Sequence, residues 1–158
     1  MKNSKTALIW ITDILKNNHV PFQITGGLAA IAYGATRPLQ DIDIDIPEDK
    51  FALVKEKVAE FITYGPEKYK SNKWDLLLMT LNYQGQEIDL GGAYQTKIFN
   101  EKTGHWEKLV ENLSNAEVKT VYELQLPVIP RDILLSYKKV LSREEDRIDV
   151  SEIEKNDK

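Results

Sequence analysis

The chain has no cysteine among its 158 residues, which excludes disulfides and thiolate-held metals and fits a reducing interior. Histidine is scarce as well: His19 and His105 stand without ligand spacing, so an imidazole-held metal is not expected. No run reaches the ~18 apolar residues of a membrane span. The start, Met1-Lys2-Asn3-Ser4-Lys5, leads into an interrupted amphipathic segment rather than a continuous apolar one. A cytoplasmic protein without a membrane partner is therefore expected. A surplus of basic charge is also missing, since 21 Lys and Arg against 25 Asp and Glu give a net charge of −4. With both signs interspersed, that balance argues against general DNA binding or a coat on nucleic acid, while leaving room for a local basic pocket.

What is present suffices for one folding unit. At 42% hydrophobic, the chain can bury a real core without staples, and no repeat, low-complexity tract or linker divides it. The expected domain covers residues 1–150, with residues 151–158 as a solvated tail.

Apolar positions Leu8, Ile11, Ile14 and Leu15 recur at helical spacing until Asn17-Asn18. Residues 21–24 read as a short strand, turned by Gly26-Gly27 into a helix over about 28–33. Residues 34–40 are a loop containing Pro38. Asp41 to Ile46 follows as a strand with isoleucines on one face and Asp41, Asp43 and Asp45 on the other. A helix then carries Phe51, Val54, Val58, Phe61 and Ile62 as its apolar stripe, ending before Gly65-Pro66. Residues 67–75 read as a polar loop. Residues 76–83 and 86–90, joined by Gln84-Gly85, form the clearest hairpin. Between 93 and 115 the pattern weakens: 97–99 suit a strand, and Trp106, Leu109, Val110 and Leu113 suit a short helix or a strand plus loop. An alternating run over 121–129 predicts one strand, ending near Pro127. A helix over about 131–141 and a charged segment over 143–150 complete the chain. The architecture implied is α/β, a small mixed sheet flanked by helices.

Aspartates two residues apart on a strand lie about 6.6 Å from one another on one face, from a rise of ~3.3 Å per residue. Such a platform suits Mg²⁺, which takes oxygen ligands and is bound through one or two carboxylates plus substrate phosphates. Asp89, an acid inside the apolar strand Ile88-Asp89-Leu90, is the candidate for a third carboxylate from a neighbouring strand, so that two ions would clamp an in-line displacement. Gly26 and Gly27 let backbone approach a ligand closely at a helix entrance that favours phosphate oxygens, and Thr25 offers a hydroxyl donor. Each feature alone has a plainer reading, as a solvated sheet face, a strand-to-helix turn or a hairpin-edge acid. Asp45 leaves open whether the metal pair is Asp41 and Asp43 or Asp43 and Asp45.

The glycine pair, Asp41-Ile42-Asp43 and the later strand aspartate Asp89 together resemble the nucleotidyltransferase superfamily that includes DNA polymerase β. The loop from Thr36 to Gln40, and Pro130 to Lys139 with Arg143 and Asp146, look like its small bacterial branches, the aminoglycoside, lincosamide and toxin-type nucleotidyltransferases. The resemblance covers most of residues 20–150. It implies a nucleotidyltransferase-like fold and Mg²⁺-dependent transfer of a nucleoside monophosphate from an NTP, ATP being the first expectation, to an acceptor hydroxyl, with pyrophosphate leaving. Gly26 and Gly27 would hold the triphosphate, Asp41 and Asp43 would ligate metal, and Asp89 would bind a second ion or activate the acceptor.

Arg37 and Lys138 are candidate phosphate contacts. Arg143 and Asp146 are expected to pair with one another or with the helix end, and Trp74, Tyr94 and Trp106 to pack as core aromatics. The acceptor is a small molecule, an RNA or a protein, and so short a chain suits a homodimer lending walls to its site. Competing readings are a nucleotidyltransferase-like domain that binds nucleotide or a partner without turnover, and a toxin-type enzyme acting on tRNA or protein.

Overall fold

The computed structural model of the chain describes residues 2–109 and 111–156. Met1, Val110, which belonged to a short apolar pattern above, and the last two residues of the expected tail lie outside them. The described residues contain nine strands in one mixed sheet and five α-helices.

Helix α1 (Ser4–Asn17) starts where the Asn3 side chain accepts a hydrogen bond from the Thr6 amide, and it buries Ala7, Leu8, Ile11 and Leu15. Strand β1 (Gln23–Thr25) passes directly into α2 (Gly26–Ala32). The change of direction falls on Gly26, whose φ of +61° suits a residue without Cβ. Strand β2 (Ile42–Ile46) has the predicted alternation, with all three isoleucines fully buried. A single-turn 3₁₀ segment (Glu48–Lys50) leads into α3 (Phe51–Val58), which buries Phe51, Val54 and Val58. Then come β3 (Ile62–Lys70), β4 (Trp74–Tyr83), β5 (Gln86–Gly92), β6 (Lys97–Asn100), β7 (His105–Lys108), β8 (Glu117–Val121), β9 (Leu124–Val128), α4 (Arg131–Leu141) and α5 (Glu144–Lys155).

The strands run β7-β6-β4-β5-β2-β1-β9-β8, with β3 also on β4. Two neighbouring pairs are parallel, β2 with β5 and β1 with β9. The remaining pairs are antiparallel. Helix α1 packs on the isoleucine face, where Trp10 stacks on Tyr83 with ring centroids 4.2 Å apart. Helix α4 covers part of the opposite face, bringing Tyr137 to Thr25.

Three segments differ from the sequence-based expectations. The stripe assigned to one helix breaks after Val58, and Ile62 begins β3, so most of the expected polar loop is strand. The β3–β4 register shifts on both sides of Tyr64, where Gly65 and Pro66 sit, and a bulge of this kind accommodates a proline in a strand. Around Trp106, where a short helix or a strand plus loop was left open, residues 105–108 take the strand, paired with β6. The run assigned to a single strand over 121–129 is the second half of the β8–β9 hairpin, whose turn residues Tyr122 and Glu123 both have positive φ without being glycine. Residues 151–155, expected as a solvated tail, are the end of α5, with Ile153 fully buried. No helix among the described residues is long and apolar enough to cross a membrane.

Candidate active site

Strand register places the candidate residues in one row. Thr25 of β1 lies opposite Asp43 of β2, Asp43 opposite Asp89 of β5, and Asp89 opposite Thr80 of β4. The next row on the same face is Gln23, Asp45, Gly91 and Leu78. Both rows follow from period-two alternation on four adjacent strands. Asp41 stands at the entrance to β2, and its carboxylate meets those of Glu87 and Asp89, with one oxygen of each within 4.8 Å of the others. Thr25, Asp41, Asp43 and Asp89 line a cleft of about 340 Å³ together with Gly26, Gly27, Arg37 and Lys138. All eight residues singled out in the sequence therefore lie at or beside one site, Thr25 among them.

The glycines have different tasks. A Cβ on Gly26 would overlap the Asp43 carboxylate, whereas one on Gly27 would meet nothing within 4 Å. The Tyr137 hydroxyl accepts a hydrogen bond from the Gly26 amide at 2.9 Å and shares another with Thr25 Oγ1 at 3.0 Å. Thr25 and Gly26 are thus held by Tyr137, and Gly27 is the residue of the three whose backbone faces open space.

Carboxylate crowding dominates the electrostatics. Burial, followed by the neighbouring charges of Asp41, Asp89 and Asp45, raises the Asp43 carboxyl well above its ordinary range, with Lys138 pulling the other way. Asp89 is pushed up to about 7, by burial first; the Thr80 hydroxyl, donating at 2.7 Å, opposes this, while Asp41 and Glu87 add to it. Such crowding of hard oxygen donors fits a divalent cation, whose charge would relieve it. Asp41, Asp43 and Asp89 could hold the ion, with Glu87 as a further donor. Glu87 was missed in the sequence, although Glu87-x-Asp89 repeats on β5 the i, i+2 spacing read on β2.

Asp45 has other partners. It accepts a hydrogen bond from Gln23 Nε2 at 3.3 Å, and Gln23 Nε2 also donates to Glu111 Oε1 at 3.2 Å. Asp45 and Glu111 form a buried carboxyl pair. Burial and the Asp45 charge push Glu111 up, and burial raises Asp45 as well, so the two carboxyls titrate as a pair that favours holding one proton between them.

Arg37 and Lys138 line the cleft, but their charges are already engaged. Arg37 makes a two-pronged pair with Asp149, both N···O distances being 2.8 Å. Lys138, only 2% exposed, lies 3.2 Å from Asp146 and 3.1 Å from Asp149. Arg143 closes the cluster on Asp146 at 2.6 Å, the pairing expected from the sequence. Glu145, 3.5 Å from Arg143 and also on the cleft, brings the carboxylates to three against three cations, so this wall is ion-paired and carries no net positive charge. Trp74 also lines the cleft, while Tyr94 is exposed and Trp106 packs edge-on against Phe99.

The fold is that of the nucleotidyltransferases. A Thermotoga maritima protein provisionally assigned as a nucleotidyltransferase superposes with a TM-score of 0.71 at 21% identity, over 93% of this chain and 91% of that one. The lincosamide antibiotic adenylyltransferase LnuA, solved with lincomycin, gives 0.62 at 17% identity, over 93% and 94% of the two chains. The antibiotic-resistance factor ANT(2'')-Ia gives 0.61 at 13% identity, over 99% and 90%. No family model matches the sequence, and no curated protein matches it.

Proposed function

We propose that the protein is a metal-dependent nucleotidyltransferase that moves a nucleoside monophosphate from an NTP, ATP being the first candidate, to an acceptor hydroxyl. The observation that carries this reading is the in-register Asp43–Asp89 pair, joined by Asp41, in a cleft that also presents the bare backbone of Gly27. Adenylyl transfer by the structural neighbours LnuA and ANT(2'')-Ia, the latter solved with adenylyl-2''-tobramycin, supports the choice of donor.

Asp41, Asp43 and Asp89 would hold Mg²⁺, which supplies charge neutralisation at the phosphates and the leaving pyrophosphate. The engagement of Asp45 by Gln23 and Glu111 supports Asp41 with Asp43 as the metal pair. Gly27 lets the triphosphate lie against the backbone, and Arg37, Lys138 and Arg143, held by Asp146, Asp149 and Glu145, line the cleft beside it. The acceptor oxygen bonds to the α-phosphorus as the bond to pyrophosphate breaks. Asp89, the carboxylate nearest β4, takes the hydroxyl proton. Positioning and charge complementarity supply most of the rate.

The test is a transfer screen with α-labelled NTPs and Mg²⁺ against antibiotics, total RNA and cell proteins. Label should pass to one acceptor class and pyrophosphate should appear, and both should stop on chelation. Nucleotide binding with no label transferred to any class would favour the non-catalytic reading.

A further inference from the structure

Resting on the transfer reading above, we infer that the acceptor carries a flat, apolar body, seated on a platform formed by β3 and β4. Strand β4 extends beyond the carboxylate row, and alternation puts Leu78, Leu76 and Trp74 on the same face as Thr80. Each is partly exposed, and all three line the cleft. Tyr69, opposite Leu76 on β3, is 39% exposed and lines it too. Gly91 keeps this floor low, since a Cβ there would press on Leu76 at 3.2 Å and approach Asp45 at 3.6 Å. Trp74 is fixed edge-on against Tyr137, with centroids 6.3 Å apart. Partly exposed apolar side chains beside a charged site form a surface for a ligand that is polar at one end and apolar at the other.

Sheet order assigns that ligand. Across the face the sequence is β1 with the glycine pair, then Asp43, then Asp89, then β4. An in-line displacement sets the attacking oxygen opposite the leaving group. With pyrophosphate leaving on the glycine side, the acceptor hydroxyl enters from β4, and the rest of the acceptor lies along Leu78, Leu76 and Tyr69.

The probe is 2-naphthol, a planar hydroxyl compound, titrated into the full chain with Mg²⁺ and the α,β-methylene analogue of ATP. Wild-type protein should show one saturable site that glycerol does not compete for. Leu76→Glu should weaken 2-naphthol at least tenfold and leave the affinity for the analogue within twofold. Tyr69→Ala, at an exposed position where folding is not at risk, should weaken it about threefold. If 2-naphthol shows no saturable binding while the analogue binds, the inference fails and the transfer reading stands. A loss of analogue affinity in Leu76→Glu equal to the loss for 2-naphthol also overturns it, because the platform would then seat the donor's base. Failure of the analogue to bind wild-type protein overturns the transfer reading and this inference with it.

Discussion

Gly26 and Asp43 fit one another: the carboxylate of Asp43 occupies the space that a side chain at position 26 would fill, and Gly26 holds a φ of +61°. Gly26→Ala therefore displaces the central carboxylate and adds a left-handed backbone cost of ~1–2 kcal/mol. Thermal unfolding should show a lowered Tm, and metal titration should show affinity reduced at least tenfold. Gly27→Ala, which meets no neighbour, should keep the wild-type Tm and metal affinity but weaken triphosphate binding.

Metal binding should depend on pH through the crowded carboxyls. Asp89 is pushed up to about 7 and Asp43 is also raised, so protons compete with the cation across neutral pH. The apparent Mg²⁺ affinity, measured by titration calorimetry, should rise severalfold between pH 6 and pH 8 (, an order-of-magnitude expectation of about one proton displaced). A flat profile would count against these groups as ligands.

The Glu111–Asp45 pair gives a separate stability signature. Glu111 is raised from an ordinary 4.5 to about 11, so the folded protein binds its proton more tightly than the unfolded chain does. The stabilisation is complete below the unfolded value and is lost as pH rises toward the folded one. Glu111→Gln keeps a donor toward Asp45 and removes the titrating proton. Urea midpoints compared at pH 5 and pH 8 should fall less in this variant than in wild type.

Lys138 holds two carboxylates that are almost fully buried, Asp146 and Asp149, at 0% and 1% side-chain exposure. Lys138→Met takes one cation from each, while Arg37 stays on Asp149 and Arg143 on Asp146, so the loss should fall below the ~3–5 kcal/mol of a buried pair broken outright. Urea denaturation should show that loss, and hydrogen exchange should be faster along α5. Arg37→Lys, which loses the two-pronged contact with Asp149, should cost less.

Period two placed Asp41, Asp43 and Asp45 on one face and the isoleucines on the core face as read, Asp89 stood out as an acid inside an apolar strand, and the choice of Asp41 with Asp43 came from the family resemblance. Other parts left weaker signals. The β8–β9 turn uses Tyr122 and Glu123 at positive φ, so the Gly or Asn that marks such turns is missing. Helix α5 has few apolar anchors and is held by ion pairs to Arg37 and Lys138 and by Glu152 on Thr36. No local pattern reports those partners. Tyr137 binds the glycine turn from 111 residues away in sequence, and only the tertiary fold brings it there. The basic candidates Arg37 and Lys138 were found as cleft residues, yet their acidic partners on α5 came from a segment with no clear periodicity.

The central claim is that the Asp41, Asp43 and Asp89 carboxylates bind a metal–triphosphate complex, and the most direct test compares wild type with Asp43→Asn. Calorimetric titration with the α,β-methylene analogue of ATP, with Mg²⁺ and with EDTA, reads it, while circular dichroism checks that the fold is kept. Wild-type protein should bind the analogue only with Mg²⁺, and Asp43→Asn should lose that binding at unchanged Tm or higher, since the substitution relieves charge crowding. Binding that ignores EDTA, or an Asp43→Asn variant that binds as tightly as wild type, would contradict the account.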